Sequence, residues 1–328
     1  MFDWQAETEL LAARFGLGRM REAVQVLSDA YRAGRPTRAP GLDGELLSAA
    51  YLAVRFPATL AVNQLVARHV QQALRQRSGG EFHPESLLDL GAGTGAALLA
   101  ATGAWPELSL LTALEPLGAF REIGRQLVPQ AMWRSAGFDS AGPLTPHDVV
   151  WASYSLGEAS SWQPVLAKAW VATRQLLVVV EPGTPRGFEL VRAVRNWLIG
   201  EGADVLAPCP SNGSCPVVAD DWCHFSARLN RTALHRRLKG AELGYEDEKF
   251  SWVAAWRGAL RPGLPRILRH PRIDPGCIGL DLCQAPDRLA RKITRRDKSA
   301  FKLARKAGWG EVWPVDLAVS ARLSKNDG

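Results

Sequence analysis

Apolar residues recur at three- and four-residue spacing over Ala6–Phe15, Met20–Ala33, Leu46–Arg55 and Ala58–Arg77, which predicts four helices in the first 80 residues. The loop Gly34–Gly44, with Pro36, Pro40 and three glycines, divides them into two pairs. A polar hinge, Ser78-Gly79-Gly80, ends this region, which is expected to form a helical cap. Beyond it the period changes. Strands are predicted over Ser86–Leu90, Ser109–Leu114, Ala131–Ser135, His147–Tyr154 and Gln175–Val180, and helices over Ala96–Ala104, Ala119–Leu127 and Trp162–Thr173. Strands alternating with helices imply a parallel, doubly wound α/β sheet, which binds its ligand beyond the carboxyl ends of the strands.

After Gly200 the pattern changes again. Phe225–Lys239 is expected as a basic helix. Lys249–Trp256 places Phe250, Trp252, Ala254 and Trp256 on one face of a strand. Short strands at Pro265–His270 and Ile278–Cys283 suggest a small β module. The expected organisation is therefore a helical region over 1–80, a Rossmann-like domain over 81–200 and a basic C-terminal region over 201–328, with no internal repeat.

Hydrophobic residues make up 47% of the chain and charged residues 22%, as in ordinary folded proteins. No run of about 18 uncharged apolar residues occurs, so no membrane partner is expected. Met1–Leu10 contains Asp3, Glu7 and Glu9 and no basic residue, which disfavours a secretory signal or transit peptide and leads to an expected cytoplasmic location. The net charge of +7 is unevenly spread: residues 228–328 hold 22 Lys/Arg against 11 Asp/Glu, whereas residues 1–227 are net acidic. A basic module of this kind is the electrostatic footprint of a polyanion partner, chiefly nucleic acid. Its densest part is Arg288–Lys298, followed by Lys302, Arg305 and Lys306; Trp309 and Trp313 behind it offer planar faces for unpaired bases, or belong to the core.

The clearest chemical motif is Asp89-Leu90-Gly91-Ala92-Gly93-Thr94-Gly95, where an apolar strand ends and a helix begins. Glycines there let the backbone turn tightly and approach a ligand, while the helix start offers free N–H groups. Glu115, at the end of the next strand, is placed to accept hydrogen bonds from ribose hydroxyls. The glycine spacing lacks the Gly-x-Gly-x-x-Gly of the dinucleotide fingerprint and resembles motif I of class I S-adenosylmethionine-dependent methyltransferases. Asp89, Gly91, Gly93, Gly95 and Glu115 are therefore the candidate cofactor-binding residues. The fourth strand leads into Tyr154 and Glu158 without the Asp/Asn-Pro-Pro-aromatic run of amino-methylating enzymes, so no catalytic residue is assigned.

All five cysteines lie after residue 200. Cys209, Cys215 and Cys223 fall in turns rich in Pro, Gly and Asn, and Cys283 on a later strand, with Cys277 as the spare. In a cytosolic chain such clustering favours metal ligation over disulfides. The spacing is looser than that of most structural zinc sites, and four thiolates with Cys-Pro dipeptides equally suit an iron–sulfur cluster.

Leu88–Gly95, Ala152–Glu158, Val180–Pro185, Asp221–Ser226, Tyr245–Ser251 and Lys306–Pro314 together resemble the mitoribosomal small-subunit protein 22 family in its bacterial form, over roughly Leu46 to Pro314. The resemblance implies a class I methyltransferase fold, association with small-subunit rRNA and pre-ribosomal particles during assembly, and a [4Fe-4S] cluster on Cys209, Cys215, Cys223 and Cys283, with zinc as the alternative. It implies an assembly role, and the intact glycine loop keeps a catalytically active rRNA methyltransferase as the alternative.

Overall fold

A computed structural model describes residues 2–32, 43–137, 142–218 and 220–314, so most of the predicted Gly34–Gly44 loop lies outside the described residues. Four helices come first: α1 (Trp4–Phe15), α2 (Leu17–Arg32), α3 (Gly44–Val54) and α4 (Phe56–Arg77). The Asp3 side chain caps α1 by accepting from the Gln5 and Ala6 amides. Helix α2 buries Met20, Ala23, Val24 and Leu27 against Leu47 and Ala50 of α3, the face that its helical period predicts. No single helix among the described residues is long and apolar enough to cross a membrane.

The α/β core follows as β1 (Ser86–Leu90), α5 (Ala96–Ala104), β2 (Leu110–Leu114), α6 (Gly118–Leu127), β3 (Met132–Arg134), β4 (His147–Ser153), α7 (Trp162–Val171), β5 (Thr173–Pro182) and α8 (Pro185–Gly200). Strands β3, β2, β1, β4 and β5 lie in that order, all parallel. Leu87, Val149 and Val178 face α4 and α5, whereas Leu88, Val150 and Val179 face α7 and α8. Burial on both faces is why these strands are continuous apolar runs.

The sheet does not stop near residue 200. Strands β6 (Asp204–Ala207), β7 (Phe225–Asn230) and β8 (Tyr245–Trp256) complete it, with helix α9 (Ala233–Lys239) between the last two. Strand β8 runs antiparallel to β5 on one edge and to β7 and then β6 on the other. The predicted basic helix Phe225–Lys239 is therefore corrected to a strand followed by a short helix. Phe225, Ala227 and Leu229 are buried in alternation with Ser226, Arg228 and Asn230, a period of two, and the Thr232 side chain starts α9 by accepting from the His235 amide.

A second sheet contains β9 (Arg266–Ile267), β10 (Arg272–Asp274), β11 (Cys277–Gln284) and β12 (Asp287–Thr294), covered by α10 (Lys298–Ala304). Ile278, Leu280 and Leu282 bury against Ala300, Ala304 and Trp313. The densest basic stretch thus begins on a strand.

A buried polar chain fixes the end of β4 to α4. The Asn63 amide nitrogen donates to Thr59 O (2.8 Å) and Ser153 Oγ (3.0 Å), and its oxygen accepts from the Trp151 indole (2.8 Å). Asn63→Leu leaves that indole N–H unsatisfied, and a loss of about 1–3 kcal/mol is expected in chemical denaturation.

Candidate functional site

Backbone hydrogen bonds hold the glycine loop against the end of β2. Gly91 N–H and Ala92 N–H both donate to Leu114 O (2.9 and 3.0 Å), and Gly95 N–H returns to Ala92 O (2.7 Å). Gly93 N–H donates to Glu115 Oε2 (2.9 Å), while Oε1 accepts from Leu117 N–H (2.8 Å). The predicted acid therefore faces the loop. Gly91, Gly93 and Gly95 have φ of 73°, 55° and 92°, which side chains rarely adopt.

The loop opens on a cavity of about 950 Å³ at the carboxyl ends of β1, β2, β4 and β5. Gly91, Gly93 and Glu115 line it; Asp89 and Gly95 do not. Asp89 is only 1% exposed, and neither carboxyl oxygen has a hydrogen-bond partner. Burial first, and the nearby Glu115 second, push its carboxyl up to about 8. Trp133 and Val128 pack against Gly95, 3.3 Å from where a Cβ would lie. Asp89 and Gly95 thus shape the loop from outside the cavity wall.

The helical cap contributes to the same cavity through Tyr31, Tyr51 and Arg55. The Arg55 guanidinium lies 4.0 Å from the Tyr31 ring centroid and pairs with Glu248 of β8 (3.1 Å), whose carboxylate also accepts from the Tyr31 hydroxyl (3.0 Å). Tyr154, whose ring lies 6.4 Å from that of Tyr31, has φ of 56°, a strained value for a residue with a side chain, and its hydroxyl is buried without a partner. Glu181, at the end of β5, accepts from Gly157 N–H (3.0 Å) and is pushed up to about 7 by burial. Glu158 joins it on the wall. The cavity is thus lined with carboxylates and roofed by aromatic rings, an arrangement suited to a cationic ligand with a planar group.

The predicted cysteine set is brought into one region. Ser211 Oγ donates to Ala285 O (3.0 Å), which ties the 209–215 loop to the β11–β12 turn, and Ser251 Oγ of β8 donates to Cys223 O (2.7 Å). Burial pushes the thiols of Cys215, Cys223 and Cys283 up, and the charges of neighbouring cysteines, Cys209 among them, add to it. Among the described residues no group of three or more His, Cys, Asp or Glu side chains is placed to hold a metal ion.

In the turn after β12, Arg295 and Arg296 are exposed, as are Lys298, Lys302, Arg305 and Lys306 on and after α10. Arg288 is not part of this free surface: it donates to both Asp281 oxygens (3.0 and 2.7 Å) and to Asp221 (2.7 Å). Trp313 is fully buried in the module's core, and Trp309 packs edge-on against His224 and His270. The reading of Trp313 as a stacking platform is therefore corrected, because apolar packing claims its faces.

Strand order, glycine loop and acid together define a class I S-adenosylmethionine-dependent methyltransferase fold. The chain belongs to the mitochondrial small ribosomal subunit Rsm22 family, whose sequence model matches residues 45–314. It is 28% identical over 301 residues to the human mitochondrial ribosome assembly protein METTL17, covering 83% of this chain and 63% of that protein. It is 25% identical over 303 residues to the Schizosaccharomyces pombe mitochondrial Rsm22-cox11 tandem protein 2, covering 72% and 39%. The chain thus spans less than two thirds of the length of either relative. Among solved structures, the plantazolicin methyltransferase BpumL bound to SAH and a triazolic desmethylPZN analog aligns with a TM-score of 0.44 at 12% identity, covering 74% of this chain and 98% of that one. Precorrin-6y C5,15-methyltransferase from Geobacter metallireducens aligns at 0.39 and 14%, covering 59% and 88%. These likenesses concern the fold alone.

Sequence reasoning missed Tyr31, Tyr51 and Arg55, which reach the cavity only through the packing of the cap. It assigned no role to Glu181, which carries the signal already used for Glu115: an acid closing an apolar strand.

The raised Asp89 pKa has a consequence for stability. Folding makes this carboxyl hold a proton that the unfolded chain releases near pH 3.8, so its contribution is complete below that pH and is lost as pH rises toward about 8. Asp89→Asn is expected to flatten the fall in melting temperature between pH 5 and about pH 8; thermal scans across that range check it.

Proposed function

We propose that this protein is a methyltransferase-like assembly factor of the small ribosomal subunit that binds S-adenosylmethionine over the glycine loop. Its basic C-terminal module takes small-subunit rRNA within pre-ribosomal particles. The observation that carries this reading is the span of the family match: residues 45–314 take in the cavity, the cysteines and the basic surface together. For the cofactor, Glu115 retains lone pairs for ribose hydroxyls after accepting from Gly93. Glu158 and Glu181 suit the positive sulfonium and ammonium of the ligand.

Cys209, Cys215, Cys223 and Cys283 are the proposed anchors of a [4Fe-4S] cluster, with zinc as the alternative. Ser211 Oγ donating to Ala285 O and Ser251 Oγ donating to Cys223 O bring the cysteine-bearing segments together, which supports the donor set. When bound, such a centre ties the loop after β6 to the β11–β12 hairpin.

A second reading, an active rRNA methyltransferase, is favoured by Glu181. A carboxyl held near neutrality on the cavity wall is suited to accept a proton from a nucleophile. Incubating the protein with labelled S-adenosylmethionine and small-subunit RNA separates the readings: binding without transfer supports the assembly factor, and turnover lost in Glu181→Gln supports the enzyme.

Calorimetry is expected to show S-adenosylmethionine binding to the full chain and its loss in Gly93→Arg. That side chain would be forced into a left-handed backbone beside the Tyr51 hydroxyl, 3.6 Å from the new Cβ. An unaltered isotherm would overturn the cavity assignment. Arg295→Ala with Arg296→Ala is expected to weaken binding to small-subunit RNA. It should also lower the slope of log K against log salt by about 0.7–0.9 for each phosphate contact removed.

A further inference from the structure

The second sheet has one face packed and one face open. Ile278, Leu280 and Leu282 of β11, with Leu289 and Ile293 of β12, pack against α10 and Trp313. The residues between them form the other face. There the register pairs Cys277 with Thr294, Gly279 with Lys292 and Asp281 with Ala290, and sets Arg272 of β10 beside Gly279. One end of this face is closed by the Asp221 segment, because Arg288 holds both Asp221 and Asp281. Towards the other end Arg272, Ala290, Lys292 and Thr294 are all exposed.

The cations of this part of the molecule differ in what they can offer a partner. Arg266 is buried and donates to Pro208 O and Gly310 O, and the buried Arg77 and Arg195 likewise donate to carbonyls. Arg269 and Arg288 are held by Asp221. Arg272, Lys292, Arg295 and Arg296 form no ion pair among the described residues. The Arg272 side chain lies across Gly279, its Nε 3.5 Å from where a Cβ would stand, and Lys292 follows on the next strand. Two strand spacings, about 10 Å, separate the backbones of these two cations. Arg295 N–H donates to Gly276 O (3.2 Å), which sets the turn after β12 beside the β10–β11 turn and brings Arg295 and Arg296 to the rim of the open face. Asp274, at the β10 edge, leaves that face net positive.

Four unpaired cations suit any polyanion, and the rest of the face decides which kind. None of the residues in its register pairs is aromatic. Trp313 is buried beneath the sheet, and Trp309 is held edge-on by His224 and His270. Unpaired bases are recognised largely by stacking on planar side chains, whereas double-helical RNA is recognised by shape, through its phosphates and 2′-hydroxyls. A surface that offers cations, the Thr294 hydroxyl and the low profile of Gly279 and Ala290 has the means for the second and lacks those for the first.

We propose that the open face of β10, β11 and β12 docks on the sugar–phosphate backbone of double-helical RNA, with Arg272 and Lys292 on phosphates and the Thr294 hydroxyl on a phosphate or 2′-hydroxyl oxygen. This rests on the RNA-binding reading above and deepens it: the partner is a helical segment taken by its shape, and α10 lies behind the contact as its support. Arg295 and Arg296 extend the contact at the rim.

The test measures fluorescence anisotropy of the full chain with two RNAs over a salt series: a hairpin with a stem of about 16 base pairs, the span of a typical double-strand binder, and a uridine oligonucleotide with the same number of phosphates. Tighter binding to the hairpin is expected. Arg272→Gln with Lys292→Gln should lower the slope of log K against log salt by about 1.4–1.8, two contacts at about 0.7–0.9 each. Ala290→Glu, which puts an exposed carboxylate on the same face, should weaken hairpin binding at an unchanged melting temperature. Arg236→Gln with Arg237→Gln removes the same charge from exposed positions on α9 and should leave the slope as it is. Equal or tighter binding to the uridine strand overturns the inference and leaves the RNA-binding reading standing. So does a slope that the Arg272 and Lys292 pair does not change, or that the α9 pair lowers equally. Wild-type protein that binds neither RNA overturns the RNA-binding reading itself, and the inference with it.

Discussion

Strand β8 must be hydrogen-bonded along both edges, and much of the molecule is arranged around that requirement. Its inner edge extends the parallel sheet through β5, and its outer edge is divided between β7 and β6. Two residues at its centre face different tasks. Glu248 reaches the cap through Arg55 and Tyr31, and Ser251 reaches the cysteine region through Cys223 O. A single strand therefore sets the position of the cavity's cover and of one cysteine at once. The segment after residue 200 is part of the central sheet as much as it is a separate region.

The cavity shows how burial and charge divide labour among three acids that each close a strand. Asp89 is sealed away and favours its protonated form, Glu115 is held by two backbone amides that work against the upward push of burial, and Glu181, which accepts from Gly157 N–H, is pushed up to about 7. All three are buried, so the differences come from the N–H groups each carboxyl accepts and from the charges beside it. An acid engaged by Gly93 keeps the loop in shape before any ligand arrives. That preorganisation lowers the ordering cost of binding. The strained Tyr154 backbone is held by its N–H bond to Val180 O (2.7 Å), so the β4 turn is fixed on the sheet side.

Net charge in the C-terminal part separates into three populations with different physical roles. Exposed Arg295, Arg296, Lys302 and Lys306 are solvated and free to meet a polyanion. Arg269 and Arg288 pair with Asp221 and Asp281 and hold the hairpin to the Cys223 loop. Arg266 is buried on the carbonyls of Pro208 and Gly310. The formal charge of the region counts all of them equally, so it overstates the surface available to nucleic acid.

The parallel core and the glycine loop were legible in the chain because each rests on local pattern: apolar runs bounded by turns, and glycines where a strand becomes a helix. The β7 strand was misread as helix because Phe225, Ala227 and Leu229 run directly into the basic α9 segment, and a short alternation is easily absorbed into a neighbouring helical period. Other features leave no local trace. Tyr51 meets Gly93 only when α3 packs over the sheet. Arg77, Arg195 and Arg266 lie on a cap helix, a core helix and a strand of the second sheet, and in the sequence each resembles the solvated arginines around it. What distinguishes them is a tertiary property, burial without a carboxylate partner, and it arises only once β6, β9 and β11 meet. A periodicity argument predicts which face of an element is apolar, and a buried charge is a departure from that rule. Such departures are where function or a bound ion usually accounts for the cost. They become visible when the polar groups of the folded chain are matched one by one with their partners.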